Sequence, residues 1–309
     1  MKPDEQSLKG RTAIVSGGAR GIGRAIADDF LRCGANLVIV DPGVGMAGEA
    51  QEPGLADQVV AGRNCAAAVC GDIADPRVVR QAVALARSRF GAVDILVNNA
   101  AILRDSMIFK ASREDWDAVL RTNLSGAFQL LAEATPVMRE QVKAGRTPGS
   151  IINIVSSSGI YGNFGQYAYS ASKAGMIGLT RAVAHDLARS GITCNAVAPF
   201  AATRVTESLP PANENLAAYK RRALTVPAVY VARLVSFLAA PASLHISGQL
   251  FAVRGRDTML FSQARPAAHI LQQPGGSTIM DLTEAVREWQ PVFTLLETDI
   301  DAFGGDPVV

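Results

Sequence analysis

The chain has 309 residues, 49% of them hydrophobic, enough to bury a sizeable core as one large α/β domain or two small ones. Charge is nearly balanced, with 30 Lys and Arg against 28 Asp and Glu, and only 6% of residues are aromatic. That composition offers neither a strong field for nucleic acid or an anionic membrane surface nor a base-stacking platform.

The first residues, MKPDEQ, carry acid and no apolar run, so no signal peptide is expected. No stretch approaches the ~18 apolar residues that span a bilayer, and the expectation is a soluble, cytoplasmic protein with no membrane span. The cysteines are Cys33, Cys65, Cys70 and Cys194, none in a CxxC pair. A disulfide framework or a metal site is therefore not expected.

In chain order, short β-branched runs alternate with longer amphipathic stretches. Strands are expected at Thr12–Ser16, Asn36–Val40, Ala66–Val69 and residues 94–97, 150–155, 193–197 and 249–253. Helices are expected at residues 22–32, 77–89, 113–143 and 169–189, and at Val229–Ala239. This β-α-β order with nearly continuous apolar strands predicts a parallel sheet covered on both faces. The predicted fold is thus α/β: a Rossmann-type doubly wound sheet in three α/β/α layers, with its ligand crevice at the carboxyl ends of the strands. Residues 42–54 are Gly-rich, 200–215 hold two adjacent prolines, and 254–277 carry Gly and Pro. Residues 281–298 start like a capped helix that Pro291 should break or kink. Residues 1–254 read as one domain. Residues 255–309 read as an extension packed on that domain or at a subunit interface.

The first strand runs into SGGARGIG at residues 16–23 and then an amphipathic helix. Gly17, Gly21 and Gly23 let the backbone turn tightly and approach a pyrophosphate. The helix start at Arg20, Gly21, Ile22 and Gly23 offers free N–H groups to the anion. A glycine turn alone is a weak signal, but between strand and helix at the head of an alternating chain it points to a dinucleotide. Asp41 ends the second strand, where a carboxylate can accept from an adenosine ribose and repel a 2′-phosphate. Arg20 competes, since a guanidinium could pair with that phosphate. Asp41 is the more direct electrostatic veto, so NAD is expected over NADP. Asp72 and Ile73, after the third strand, fall near the adenine by topology.

YSASK at residues 169–173 places Tyr169 and Lys173 four apart, on one helix face. A free Tyr titrates near ~10 and is a poor base at neutral pH. The Lys173 cation is expected to favour the phenolate, so that Tyr169 can give a proton to a carbonyl or take one from an alcohol. Ser156, thirteen residues before Tyr169, can hold the substrate oxygen. Asn123 is a poor helix former inside a helical stretch, and is expected to hold a water beside Lys173. Taken alone, each of these residues is an ordinary surface or capping side chain.

Jointly, SGGARGIG, Asp72, NNA at residues 98–100, Asn123, Ser156 and YSASK resemble the short-chain dehydrogenase/reductase family over residues 9–253. The resemblance implies catalytic roles for Asn123, Ser156, Tyr169 and Lys173. It also implies that Asn98 steadies the sheet and that Asn99, Ala100 and Ala101 pass beneath the nicotinamide ribose. NNAAILRD at 98–105, EDWD at 114–117 and SGIYGNFGQYAYSASKAG at 158–175 are similar to one branch of that family. It holds the (3R)-hydroxyacyl-CoA dehydrogenase domains of type 2 multifunctional enzymes, also described as type 4 17β-hydroxysteroid dehydrogenases. The branch implies NAD-linked oxidation of an acyl-CoA or steroid alcohol by a homodimer or homotetramer.

The chain departs from the family at two places. The usual NNAG reads NNAA, so the Ala101 methyl is tolerable only if φ is negative there. The usual PGxxxT after the sixth strand starts at Pro199 but leaves Thr203, or Thr206, as the candidate carboxamide contact. An NADPH-dependent 3-oxoacyl-carrier-protein reductase is the second reading, favoured by Arg20 and opposed by Asp41. A non-catalytic dinucleotide-binding protein is the third, and would be marked by loss of Tyr169 or Lys173.

Overall fold

The computed structural model describes residues 6–49, 52, 54–201, 214–272 and 274–303. Seven strands run parallel: β1 Thr12–Ser16, β2 Asn36–Val40, β3 Ala66–Val69, β4 Ile95–Asn98, β5 Ser150–Ile154, β6 Thr193–Phe200 and β7 Leu250–Arg254. An eighth, β8 Asp257–Phe261, returns antiparallel along β7, giving the order β3-β2-β1-β4-β5-β6-β7-β8. Apolar side chains on both faces of each central strand require cover above and below.

The alternation of side chains along β1 divides the core. Ala13 and Val15 pack under α1 (Gly21–Arg32), while Ile14 faces the opposite layer. Between these lie α2 (Leu55–Val60), α3 (Pro76–Phe90), α4 (Arg113–Leu120), α5 (Gly126–Lys143), α6 (Ser158–Tyr161), α7 (Tyr167–Leu187), α8 (Glu214–Ala223) and α9 (Val229–Ala239) in chain order. Helices α1 and α9 cover one face of the sheet, and α3, α5 and the C-terminal half of α7 the other. The expected doubly wound sheet is therefore present.

Three details differ from expectation. The single helix expected over 113–143 is interrupted by a π-helical turn at Arg121–Ser125. The extension contributes β8, a five-residue edge strand (DTMLF) that lies largely open to solvent and was not expected. Helix α10 (Ile279–Trp289) starts earlier than position 281: Thr278 is its N-cap, and Asp281 completes a reciprocal capping box. Pro291 then sits in a 3₁₀ turn, Gln290–Val292, which ends the helix as its missing N–H requires. Last, α11 (Asp299–Phe303) brings Phe303 edge-on to Tyr161 at 6.0 Å. None of the helices among the described residues is long and apolar enough to cross a membrane.

A buried polar ladder ties the layers that carry the site. Asn98 Nδ2 donates to Asn153 Oδ1 at 2.8 Å, across the β4–β5 register, and Asn153 Nδ2 donates to Thr180 Oγ1 on α7 at 2.9 Å. Buried amides are costly unless paired, so this ladder sets α7 against the end of β5. That is the steadying role expected of Asn98.

Candidate active site

At the carboxyl end of β1 the chain is joined to the end of β4 by backbone contacts. Ser16 Oγ accepts from the N–H of Asn99 at 3.1 Å and of Ala100 at 3.2 Å. In return Asn99 Nδ2 donates to the carbonyls of Ser16 at 3.1 Å and Gly17 at 2.8 Å. Gly17 has φ 64°, and a Cβ there would lie 2.8 Å from Ala100 Cα. At Gly23 a Cβ would meet the Gly17 carbonyl at 2.0 Å. Only glycine fits these two places. Helix α1 begins at Gly21 with no side-chain cap from Arg20, which leaves its first N–H groups for an anion. This uncapped glycine cradle fits a pyrophosphate.

Asp41 braces the same turn from the end of β2. Its carboxylate accepts from the N–H of Ala19 at 3.0 Å and of Gly43 at 2.8 Å, so it links the glycine loop to the segment after β2. Arg20, the competing cation, is ion-paired with Glu52 from that segment. Asp72 caps its own turn through Ala74 N–H at 2.9 Å and pairs with Arg121 at 2.8 Å.

One cleft gathers Gly17, Arg20, Gly21, Ile22, Gly23, Asp41, Asp72, Ile73, Asn99, Ala100, Ala101, Tyr169, Lys173 and Pro199. Among the described residues no non-glycine has a positive φ, so Ala101 meets the condition its methyl imposes. Thr203 and Thr206 lie outside the described residues. The cleft also takes Val44, Gly45 and Met46, which the sequence reading did not assign to it. They form a strap from β2 to the segment after β4: Leu103 N–H donates to Met46 O at 2.9 Å, and Arg104 Nε to Ala47 O at 3.1 Å. The glycine-rich composition of residues 42–54 was the one available signal for it.

The four residues expected at the chemistry are close together, and three of them differ from expectation in detail. Lys173 is 2% exposed, donates from Nζ to Ile154 O at 2.8 Å, and lies 5.6 Å from the centre of the Tyr169 ring. Burial draws its ammonium down to about 8. Tyr169 was expected below its ordinary value, but the structure reverses that: burial pushes the phenol up to about 12, and the Ser156 hydrogen bond only partly offsets it. The ammonium lies over the ring. Ser156 Oγ also accepts from Ser158 N–H at 3.1 Å. Asn123, in the π turn, is 1% exposed. Its Oδ1 accepts from Ile102 N–H at 2.8 Å, and its Nδ2 donates to Ile102 O at 3.0 Å and Ser172 Oγ at 3.3 Å. The amide thus clamps the segment after β4 onto α7 rather than pointing at Lys173.

A glycine cradle at the switch point of a doubly wound sheet, opening onto a paired Tyr and Lys, defines a dinucleotide-dependent oxidoreductase. Residues 11–215 match the short chain dehydrogenase family. The chain is 37% identical to the 3-oxoacyl-[acyl-carrier-protein] reductase FabG of Staphylococcus aureus over 253 residues, 79% of this chain and 97% of that protein. It is 37% identical to the hydroxyacyl-CoA dehydrogenase ChsB1 of Mycobacterium tuberculosis over 262 residues, 82% of this chain and 80% of that one. It is 41% identical to the peroxisomal multifunctional enzyme type 2 of Drosophila melanogaster over 207 residues, 65% of this chain but 33% of that longer protein. A crystal structure of a short chain dehydrogenase from Mycobacterium avium superposes with a TM-score of 0.77 at 33% identity, covering 91% of this chain and 95% of that one. The chain belongs to the short-chain dehydrogenase/reductase family, NAD(P)-dependent oxidoreductases acting on CH–OH groups.

The cradle makes one direct prediction. A Gly23→Ala variant places a methyl on the Gly17 carbonyl and should weaken NADH binding about tenfold or more with the fold intact. Fluorescence titration together with circular dichroism reads this out, and unchanged affinity contradicts the cradle.

Proposed function

We propose that this chain oxidises a (3R)-hydroxyacyl-CoA, or a 17β-hydroxysteroid, with NAD as its cofactor. The observation that carries the reading is the Tyr169–Ser156 hydrogen bond inside the cleft that also holds the glycine cradle and Asp41. The hydroxyacyl-CoA dehydrogenase and multifunctional enzyme relatives support the substrate class. Preference for NAD is supported by Asp41 and by the Arg20–Glu52 pair, which engages the one loop cation suited to a 2′-phosphate.

Bound nicotinamide would accept or donate the hydride; the protons are handled by the chain's own groups. Ser156 Oγ and the Tyr169 hydroxyl hold the substrate oxygen. Tyr169 takes the alcohol proton in oxidation and returns one in reduction. Lys173, charged at neutral pH, steadies the phenolate. Asn123 acts by fixing the Ile102 backbone, which bears on where the nicotinamide ribose sits. The exposed Leu271, Ile279, Met280, Leu295 and Leu296 of the extension support a homodimer or homotetramer.

A second reading, NADPH-dependent reduction of a 3-oxoacyl carrier protein, is favoured by the FabG similarity and by Arg20 at the cradle.

Two outcomes test the mechanism. Tyr169→Phe should keep NADH binding and lose about 10²–10⁴ in turnover, the usual weight of a positioned acid/base; undiminished turnover contradicts it. Alcohol oxidation needs the phenolate, so its rate should climb with pH up to about 8, where Lys173 begins to lose its charge, still well below the phenol's value of about 12. Ser156→Ala removes the bond that lowers that value, and should move the rising limb of the pH–rate profile to higher pH. A move to lower pH contradicts the assignment.

A further inference from the structure

The loops that follow β4 and β5 meet beside Tyr169. Ser106 and Gln166 form a parallel bridge, and Ser106 N–H donates to Gly165 O at 2.9 Å. Gln166 is 4% exposed and its amide is used at both ends. Its Oε1 accepts from Ser158 Oγ at 2.8 Å and Asn163 Nδ2 at 3.2 Å, which orients Nε2 to donate to Asp105 Oδ2 at 2.9 Å. A fixed, buried amide therefore holds a carboxylate in one place.

Partial burial pushes the Asp105 carboxyl up, and the Gln166 bond partly offsets this in favour of the charged form. Among the described residues no basic side chain pairs with Asp105, and the neighbouring Arg104 turns away to Asp115 at 3.1 Å. Its negative charge reaches the Tyr169 phenol and acts against phenolate formation there. The same two loops also expose apolar side chains, Met107, Ile108, Phe109 and Phe164. A mouth of this kind welcomes hydrocarbon and repels a second anion. Asp105 is itself exposed, but the Gln166 bond holds its charge in place, and a like charge brought near it binds more weakly.

We propose that Asp105, oriented by Gln166, is a charge filter that admits acyl groups masked as thioesters and rejects free 3-hydroxy acids. In a free acid the carboxylate lies two carbons from the reacting carbon and shares the field of Asp105; in a thioester that position is neutral. The proposal rests on the hydroxyacyl reading above, and assigns to Asp105 a specificity role beyond the proton chemistry.

The test compares wild type, Asp105→Asn and Asp105→Glu on a (3R)-hydroxyacyl thioester and the free (3R)-hydroxy acid of the same chain length, with NAD. The ratio of kcat/KM, thioester over acid, should fall about tenfold or more in Asp105→Asn, through a gain on the acid, and be retained in Asp105→Glu. An unchanged ratio in Asp105→Asn, or an equal fall in both variants, overturns the filter. A wild-type measurement needs no variant to fold: the free acid should inhibit at least about tenfold more weakly than its methyl ester, and equal inhibition overturns the filter. If wild type oxidises a neutral secondary alcohol but no thioester, the substrate reading fails, and the inhibition comparison alone then decides for or against the filter.

Discussion

Where β1 and β4 lie side by side, the chain after β1 turns to one face of the sheet and the chain after β4 to the other, which opens a crevice between them. Everything placed in that crevice depends on how closely the two strand ends approach. Gly17 lies against Ala100 with no room for a methyl, Gly23 lies on the Gly17 carbonyl, and Asn99 bonds to the backbone on both sides of the turn. This contact fixes the start of α1, and with it the N–H groups offered to a pyrophosphate. It also fixes the strand end from which Ala100, Ala101 and Leu103 enter the cleft.

The second half of the site hangs from the sheet through the Asn98–Asn153–Thr180 ladder, which sets α7 beside β5. Burial then does opposite things to two neighbours. It draws Lys173 down and pushes Tyr169 up, because in each case the charged form is the one that loses water. The phenol is thus a proton donor at rest. The Ser156 bond is the contact that favours its deprotonated form.

The sheet and the cleft were legible because their residues obey local rules: β-branched runs, a glycine turn between strand and helix, and a Tyr and Lys one helical turn apart. Every described residue expected to bind the cofactor lines one cleft. What escaped depends on long-range packing. Asn123, a poor helix former, marks an irregularity but does not specify a π turn, and the engagement of its amide by Ile102 cannot be seen without the strand end beside it. The strap over residues 44–46 and the Arg20–Glu52 pair come from a loop whose path is set by contacts with Leu103 and Arg104. The direction of the Tyr169 shift was misread because spacing shows that a cation is near, but neither where it lies on the ring nor how dry the hydroxyl is.

The central claim is that this cradle and phenol serve a hydroxyacyl-CoA or hydroxysteroid alcohol with NAD. Initial rates of oxidation with NAD and with NADP, on a (3R)-hydroxyacyl-CoA, its (3S) epimer and a 17β-hydroxysteroid, test it most directly. The account predicts turnover of the (3R) thioester or the steroid, rejection of the (3S) epimer and faster rates with NAD. A strong NADP preference, or activity on neither the (3R) thioester nor the steroid, would contradict it.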